Sequence, residues 1–226
     1  MKLHDWLTFP EQILRSLTGN GVFHDGLNQL SALRDKLRYY LHDVWLYLMA
    51  CQWQRISEEE PFMGRCGQAG DELGSRIVAM RLIRDVMKLC FFMERQYAPY
   101  TKWFGTAFAQ LACADVLKPL FMKTLDAQTW QDREHHLNRV YEYVAGRHNG
   151  LGLTQPLLTQ VSSFHDRPFC VIQAGQFADA LRAVITDPEV LTLPAVGAID
   201  QFVDSTAVLS NPNMFNRVKD MYVQSG

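Results

Sequence analysis

No run in this chain is apolar for the roughly 18 residues that a membrane-spanning helix requires, so no bilayer segment is expected. The opening stretch MKLHDWLTFPEQ has no apolar core of the kind a secretory leader carries. Cysteine is sparse: Cys51, Cys66, Cys90, Cys113 and Cys170 are scattered, odd in number and form no CxxC, which argues against a disulfide framework. Reduced thiols in a cytoplasm fit that usage. An excess of charge of either sign is missing too. The formal net charge is -2, so no polyanion-seeking field is expected, and with it no nucleic-acid partner.

The usual signatures of catalysis are equally absent. There is no GxGxxG, no GxxxxGK[ST], no HExxH and no GxSxG, and each absence removes a large enzyme class. Gly74-Ser75 could open a nucleotidyltransferase signature, but the acidic pair that holds the metal ions should come shortly downstream. Apolar and basic residues from Arg76 to Arg84 stand there instead. His135 and His136 are adjacent, so on a helix they point about 100° apart and cannot grip one ion from one face. No cofactor is legible.

What the chain does have is helical spacing. With 48% apolar and 20% charged residues in 226, it can bury a substantial core. Pro10 suits the first turn of a helix reaching about Thr18. Leu27, Leu30, Leu33 and Leu37 mark one face of a second helix, and Asp43 to about Glu60 reads as a third. Pro61, Gly64, Gly67 and Gly70 loosen the chain beyond that third helix. The longest helix is expected from about Asp71 to Arg95; it is apolar nearly all round, as a central helix should be, and Pro99 ends it near Ala98. Shorter helices are expected at about Thr101–Gln110 and Asp115–Leu125. A clear one runs from Thr129, its N-cap with Asp132 as partner, to His148.

Beyond Gly150, prolines cut the chain into short pieces. Phe169–Gln173 (FCVIQ) suits a short strand or extended segment, and Gly175–Ile185 a helix. Strand-like alternation is sustained nowhere. The fold class read from this is all-α: a helical bundle around a long central helix, with a loop-rich C-terminal segment. Residues 1–226 are taken as a single helical domain, 1–150 forming the bundle core and 151–226 a C-terminal wrap.

Several groups could carry a site. In QYAPYTKWFGTAF, Gln96 to Phe108, Phe104 and Phe108 suit packing at a helix corner. Tyr100, Lys102 and Trp103 remain as candidates for ligand contact. Arg81 and Arg84, on a polar stripe of the long helix with Lys88 and Arg95, form either a solvated edge or a cationic wall for phosphate or carboxylate. His148 falls on an apolar stride, as a hydrogen-bonded core histidine or a ligand contact. FHDRPF pairs Asp166 with Arg167. IDQFVDST puts Asp200 and Asp204 four apart, on one face if helical, where they could bind a metal or an amine, do acid–base work, or pair with Arg167.

Seven segments together carry a resemblance: GVFHDG (21–26), DVWLYLMACQW (43–53), GDELGSR (70–76), YAPYTKWFGTAF (97–108), HNGLGLT (148–154), FHDRPFCV (164–171) and GAIDQFVDST (197–206). From about Trp6 to Leu209 the chain resembles the helical domain of unknown function that lies C-terminal to a nucleotidyltransferase-like domain in an uncharacterised bacterial family. The upstream half, with its acidic pair, is not in this sequence. In similar two-domain nucleotidyltransferases the helical half closes over the acceptor substrate. The resemblance therefore implies a module, non-catalytic alone, that holds a small polar or anionic ligand and works with a nucleotidyltransferase-like domain in cis or in trans. The alternatives are an interaction or dimerisation module with no small-molecule site, and a free-standing enzyme using Asp200, Asp204 or His148.

Overall fold

The computed structural model describes residues 1–19 and 21–222, and the fold is all-α. In chain order the helices of the N-terminal part are α1 (Leu3–Thr8), α2 (Glu11–Gly19), α3 (Gln29–Lys36), α4 (His42–Glu59), α5 (Phe62–Gln68) and α6 (Glu72–Met93). A 3-10 turn at Thr101–Trp103 leads into α7 (Phe104–Phe108), α8 (Ala114–Asp126) and α9 (Trp130–Gly150). Two-residue strands β1 (Ser162–Ser163) and β2 (Cys170–Val171) pair antiparallel, Ser162 opposite Val171. Then come α10 (Gly175–Ala183), α11 (Pro188–Leu191), α12 (Ile199–Phe202), α13 (Thr206–Leu209), α14 (Pro212–Phe215) and a 3-10 turn at Asn216–Met221. Among the described residues no helix is long and apolar enough to cross a membrane.

The centre is shared by two helices rather than held by one. Every residue of α4 from Val44 to Trp53 is buried. The first turns of α6 instead leave Leu73, Ile77 and Met80 exposed and bury only Ser75 and Ala79, and from Leu82 onward it sinks into the core. Helices α5, α8 and α9 pack around α6, and α10 lies along α4. There Phe177 stacks on Trp53 with centroids 4.4 Å apart. The segment leading into α10 is fixed by Glu60, just past the end of α4. Its buried carboxylate accepts the backbone N–H groups of Ile172 (2.8 Å) and Ala174 (3.0 Å), and burial pushes its pKa up to about 7. The part beyond residue 150 thus contributes to the same core as α4.

Caps reflect local chemistry. Thr129 Oγ1 accepts the N–H of Asp132 at 3.2 Å and donates to its carboxylate at 2.8 Å, which starts α9. Asp71 accepts the N–H of Gly74 at 2.7 Å and starts α6. Gly64 and Gly67 lie in a helix, α5, rather than a loose loop: the Trp130 side chain lies where a Cβ on Gly67 would be, so the absence of one lets α9 come close.

Helices α5 and α6 end by the same device. In α5 the N–H of Asp71 returns to the Cys66 carbonyl (2.9 Å) and that of Gly70 to Gly67 (3.0 Å), with Gly70 at φ +81°. In α6 the N–H of Gln96 returns to Phe91 (2.9 Å) and that of Arg95 to Phe92 (3.1 Å), with Arg95 at φ +51°. This is a Schellman closure, which normally places glycine in the left-handed position. The long helix therefore stops at Met93, and not at Ala98 under the influence of Pro99.

The second helix also departs from expectation. None of the residues of α3 is buried, and of the four leucines only Leu37, just past its end, enters the core; Leu27 is 79% exposed. The stride of three and four is real, but α3 lies beside α2 and none of its residues is buried.

The ring stack of Phe177 on Trp53 should be a principal attachment of the C-terminal part. Phe177→Ala is expected to lower unfolding stability by about 3–5 kcal/mol in urea denaturation, without loss of native helix content. A cost within the roughly ±0.5 kcal/mol of ordinary surface substitutions would mean that α10 is not part of the cooperative core.

Candidate functional site

The structure separates the sequence candidates into three groups. His148 belongs to the core. Its Nδ1 accepts the Trp53 indole N–H at 3.2 Å, its Nε2 lies 3.3 Å from the Thr154 hydroxyl, and burial lowers its pKa to about 4. It is held as neutral imidazole edge-on against the stacked Trp53 and Phe177 rings. Asp166 and Arg167 are exposed in the turn joining β1 to β2, where the Arg167 N–H closes the turn on the Phe164 carbonyl at 3.0 Å.

The second group lines a cleft of about 560 Å3 with Thr101 at its edge. Each arginine there has a carboxylate. Arg81 pairs with Glu59, Arg84 with Asp204 at 2.5 Å, and Arg55 grips both oxygens of Asp85 at 2.9 and 3.0 Å. The stripe along α6 is therefore a charge-compensated edge. Asp200 and Asp204 do not share a helical face, because α12 stops at Phe202. Asp204 reaches outward to Arg84, whereas Asp200 turns inward to α2. Among the described residues no three His, Cys, Asp or Glu side chains come together in a metal-binding group.

The third group is different. Tyr100 and Trp103 line a concave cleft of about 760 Å3 between α2 and the corner that joins α6 to α7. Three arginines line it as well: Arg15 from α2, Arg38 after α3, and Arg95 at the end of α6. Among the described residues no aspartate or glutamate is in the lining. Arg15 donates to the Tyr97 carbonyl at 2.6 Å, which fixes its side chain along the wall. Arg38 is paired only with the exposed Asp35, at 2.8 Å. Exposed Arg95 lays its guanidinium over the Trp45 ring (4.8 Å) and the Tyr39 ring (5.4 Å), and its side chain makes no hydrogen bond or ion pair among the described residues. Lys102 sits 5.1 Å from the centroid of the Trp103 ring at the same corner. Gln12, Ser16 and Thr18 add polar groups along the α2 wall.

Sequence reasoning missed Arg15 and Arg38, and counted Arg95 only as part of the stripe along the long helix. They stand far apart in the chain, and only the packing of α2 against the post-α6 segment brings them together. One local signal existed: an arginine where the helix closure favours glycine.

Behind the cleft lies a buried polar clasp. The Ala98 N–H donates to the Glu11 carboxylate at 2.7 Å, and the Glu11 N–H donates to Asp200 at 2.9 Å. Lys88, only 6% exposed, donates to the Asp200 carbonyl. Burial, reinforced by the Asp200 charge, pushes the Glu11 pKa up to about 8. Burial also raises that of Asp200, and burial together with neighbouring Arg84 lowers that of Lys88.

A family model described as a domain of unknown function (DUF4037) matches residues 6–104. Every residue lining the larger cleft falls within that segment, as do Glu11, Lys88 and Ala98 of the clasp; Asp200 falls outside it. The searches of curated proteins and of solved structures returned no match.

The clasp predicts a pH dependence. The folded chain holds a proton on Glu11 up to about pH 8, whereas the unfolded chain releases it near the ordinary value of 4.5. Folding then takes up a proton in that window, so this group's contribution is complete below pH 4.5 and is lost as pH rises to 8. Glu11→Gln keeps the carbonyl that accepts the Ala98 N–H and is neutral throughout. In urea melts between about pH 5 and 9 it should gain on the wild type steadily as pH rises. Asp200 and Glu60 share the sign, so the variant flattens the decline without abolishing it. A gap between the two proteins that stays constant with pH would contradict the assignment.

Proposed function

We propose that this chain is a helical binding module, non-catalytic alone, that holds a small anionic molecule in the cleft between α2 and the α6–α7 corner and works with a nucleotidyltransferase-like domain in cis or in trans. The observation that carries the reading is the lining itself: three arginines converge on one concavity from which carboxylates are absent. Guanidinium groups present planar forks that match phosphate and carboxylate oxygens. A cleft of about 760 Å3 is within the range of small-molecule sites. On α6 any anion would have to displace Glu59 or Asp204, as at Arg38 it would displace Asp35, whereas Arg15 and Arg95 have no carboxylate partner among the described residues. The partnership with a nucleotidyltransferase-like domain rests on the resemblance carried by the seven sequence segments.

A second observation favours an interaction role alongside or instead of ligand binding. Phe23, Leu27, Leu30 and Leu33 are all exposed on and before α3, and no other described element covers them. Such a row suits a docked domain or a second copy of the chain.

Pyrophosphate serves as the probe. At a hundredfold excess over Kd it should stabilise the chain by about 2.7 kcal/mol, which for a chain of this size raises the melting temperature by about 5–10 °C. Arg38→Ala should weaken the shift and Arg81→Ala should leave it intact. Light scattering on the same preparation separates a monomer near 26.0 kDa, its α3 row left to a partner domain, from a self-paired dimer. Absence of any shift, or one abolished by Arg81→Ala, would overturn the assignment of the cleft.

A further inference from the structure

The cleft offers rings as well as charges. Trp103 is 55% exposed and Tyr100 39%, and both line the same concavity as the arginines. The rest of QYAPYTKWFGTAF puts its aromatic residues inward: Tyr97 and Phe108 are buried, and Phe104 packs against the core. Two rings left open beside three guanidiniums are therefore not explained by the packing of that corner. Lys102 covers part of the Trp103 ring but leaves more than half of the residue open to solvent.

Arg95 adds an independent observation. Its backbone is left-handed, φ +51°, at the position where α5 uses Gly70. A side chain there costs on the order of 1–2 kcal/mol. Strain of this kind persists where the surroundings enforce it, and it gathers at ligand sites. Here the contacts are the Trp45 and Tyr39 rings under the guanidinium, and its N–H donors have no protein acceptor among the described residues.

We infer that the ligand is a ring-bearing diphosphate, the chemistry of a nucleoside diphosphate, with its phosphates on Arg15, Arg38 and Arg95 and its base on Trp103. Base–aromatic stacking accepts any base and adds affinity beyond that of the anion, whereas arginine forks take the phosphate oxygens. The inference rests on the anion-binding reading of the cleft and goes further by requiring the ring.

Isothermal titration of the full chain with pyrophosphate, adenosine diphosphate and adenosine separates the two. Adenosine diphosphate should bind about tenfold or more tighter than pyrophosphate, and adenosine alone weakly. Trp103→Leu should erase the advantage of adenosine diphosphate while leaving pyrophosphate affinity unchanged; the residue is exposed, so the variant should fold. Arg95→Gly should weaken both anions while leaving the melting temperature unchanged or raised, since glycine relieves the left-handed strain. Equal affinities for the diphosphate and pyrophosphate would sink the ring requirement and leave the anion module standing. No binding of either would sink both. Adenosine binding as tightly as its diphosphate, or Arg95→Gly that melts lower yet binds normally, would overturn the proposed phosphate cradle.

Discussion

One buried hydrogen bond, from the Ala98 N–H to the Glu11 carboxylate, sets the two walls of the cleft against each other. After α6 closes at Arg95 the chain runs as irregular backbone through Tyr100, and a buried N–H in such a segment must find a partner or forfeit about 1–3 kcal/mol. Glu11 supplies it from the first turn of α2, while Asp200 holds the N–H of Glu11 itself from the far end of the chain. Arg15, one turn further along α2, then reaches the Tyr97 carbonyl on the opposite wall. The clasp keeps Gln12, Arg15 and Ser16 facing Arg95, Tyr97 and Tyr100, and everything inferred about the cleft depends on that register.

Charge in this protein is sorted by what lies across from it. Along α6, Arg81 and Arg84 look like a cationic wall when only their helix is considered. Each is answered by an acid from elsewhere, Glu59 at the end of α4 and Asp204 after α12. Arg95, at the end of the same helix, is answered by aromatic faces instead, and aromatic faces leave guanidinium N–H donors free for an anion. Two edges of similar composition therefore differ in what they can bind.

The helices that local chemistry specifies were legible in the sequence. Thr129 capped the helix it was expected to cap, and the run from Asp43 to Glu60 was helical over nearly those bounds. What was not legible depended on partners distant in the chain. The leucine stride marked one face of a second helix, and α3 forms there, but of that face only Leu37 reaches the core. Pro99 looked like the end of the long helix, yet a Schellman closure ended it earlier, in a conformation that an arginine does not advertise. Asp200 and Asp204 would share a face if helical, but α12 terminates at Phe202 and they take different partners, Glu11 and Arg84. Of the site, Tyr100 and Trp103 were identifiable as unexplained aromatics. The arginines they accompany come from three separate elements, and no spacing rule joins them.

The central claim is that the cleft between α2 and the α6–α7 corner, and not the paired stripe on α6, is where an anion binds. A crystal structure of the full chain grown with pyrophosphate tests it most directly. Density for the anion should lie between α2 and the α6–α7 corner, with oxygens about 2.7–2.9 Å from guanidinium nitrogens of Arg15, Arg38 and Arg95. Density seated instead between Arg81 and Arg84, with Glu59 and Asp204 displaced, or a cleft that stays empty at saturating pyrophosphate, would contradict the account.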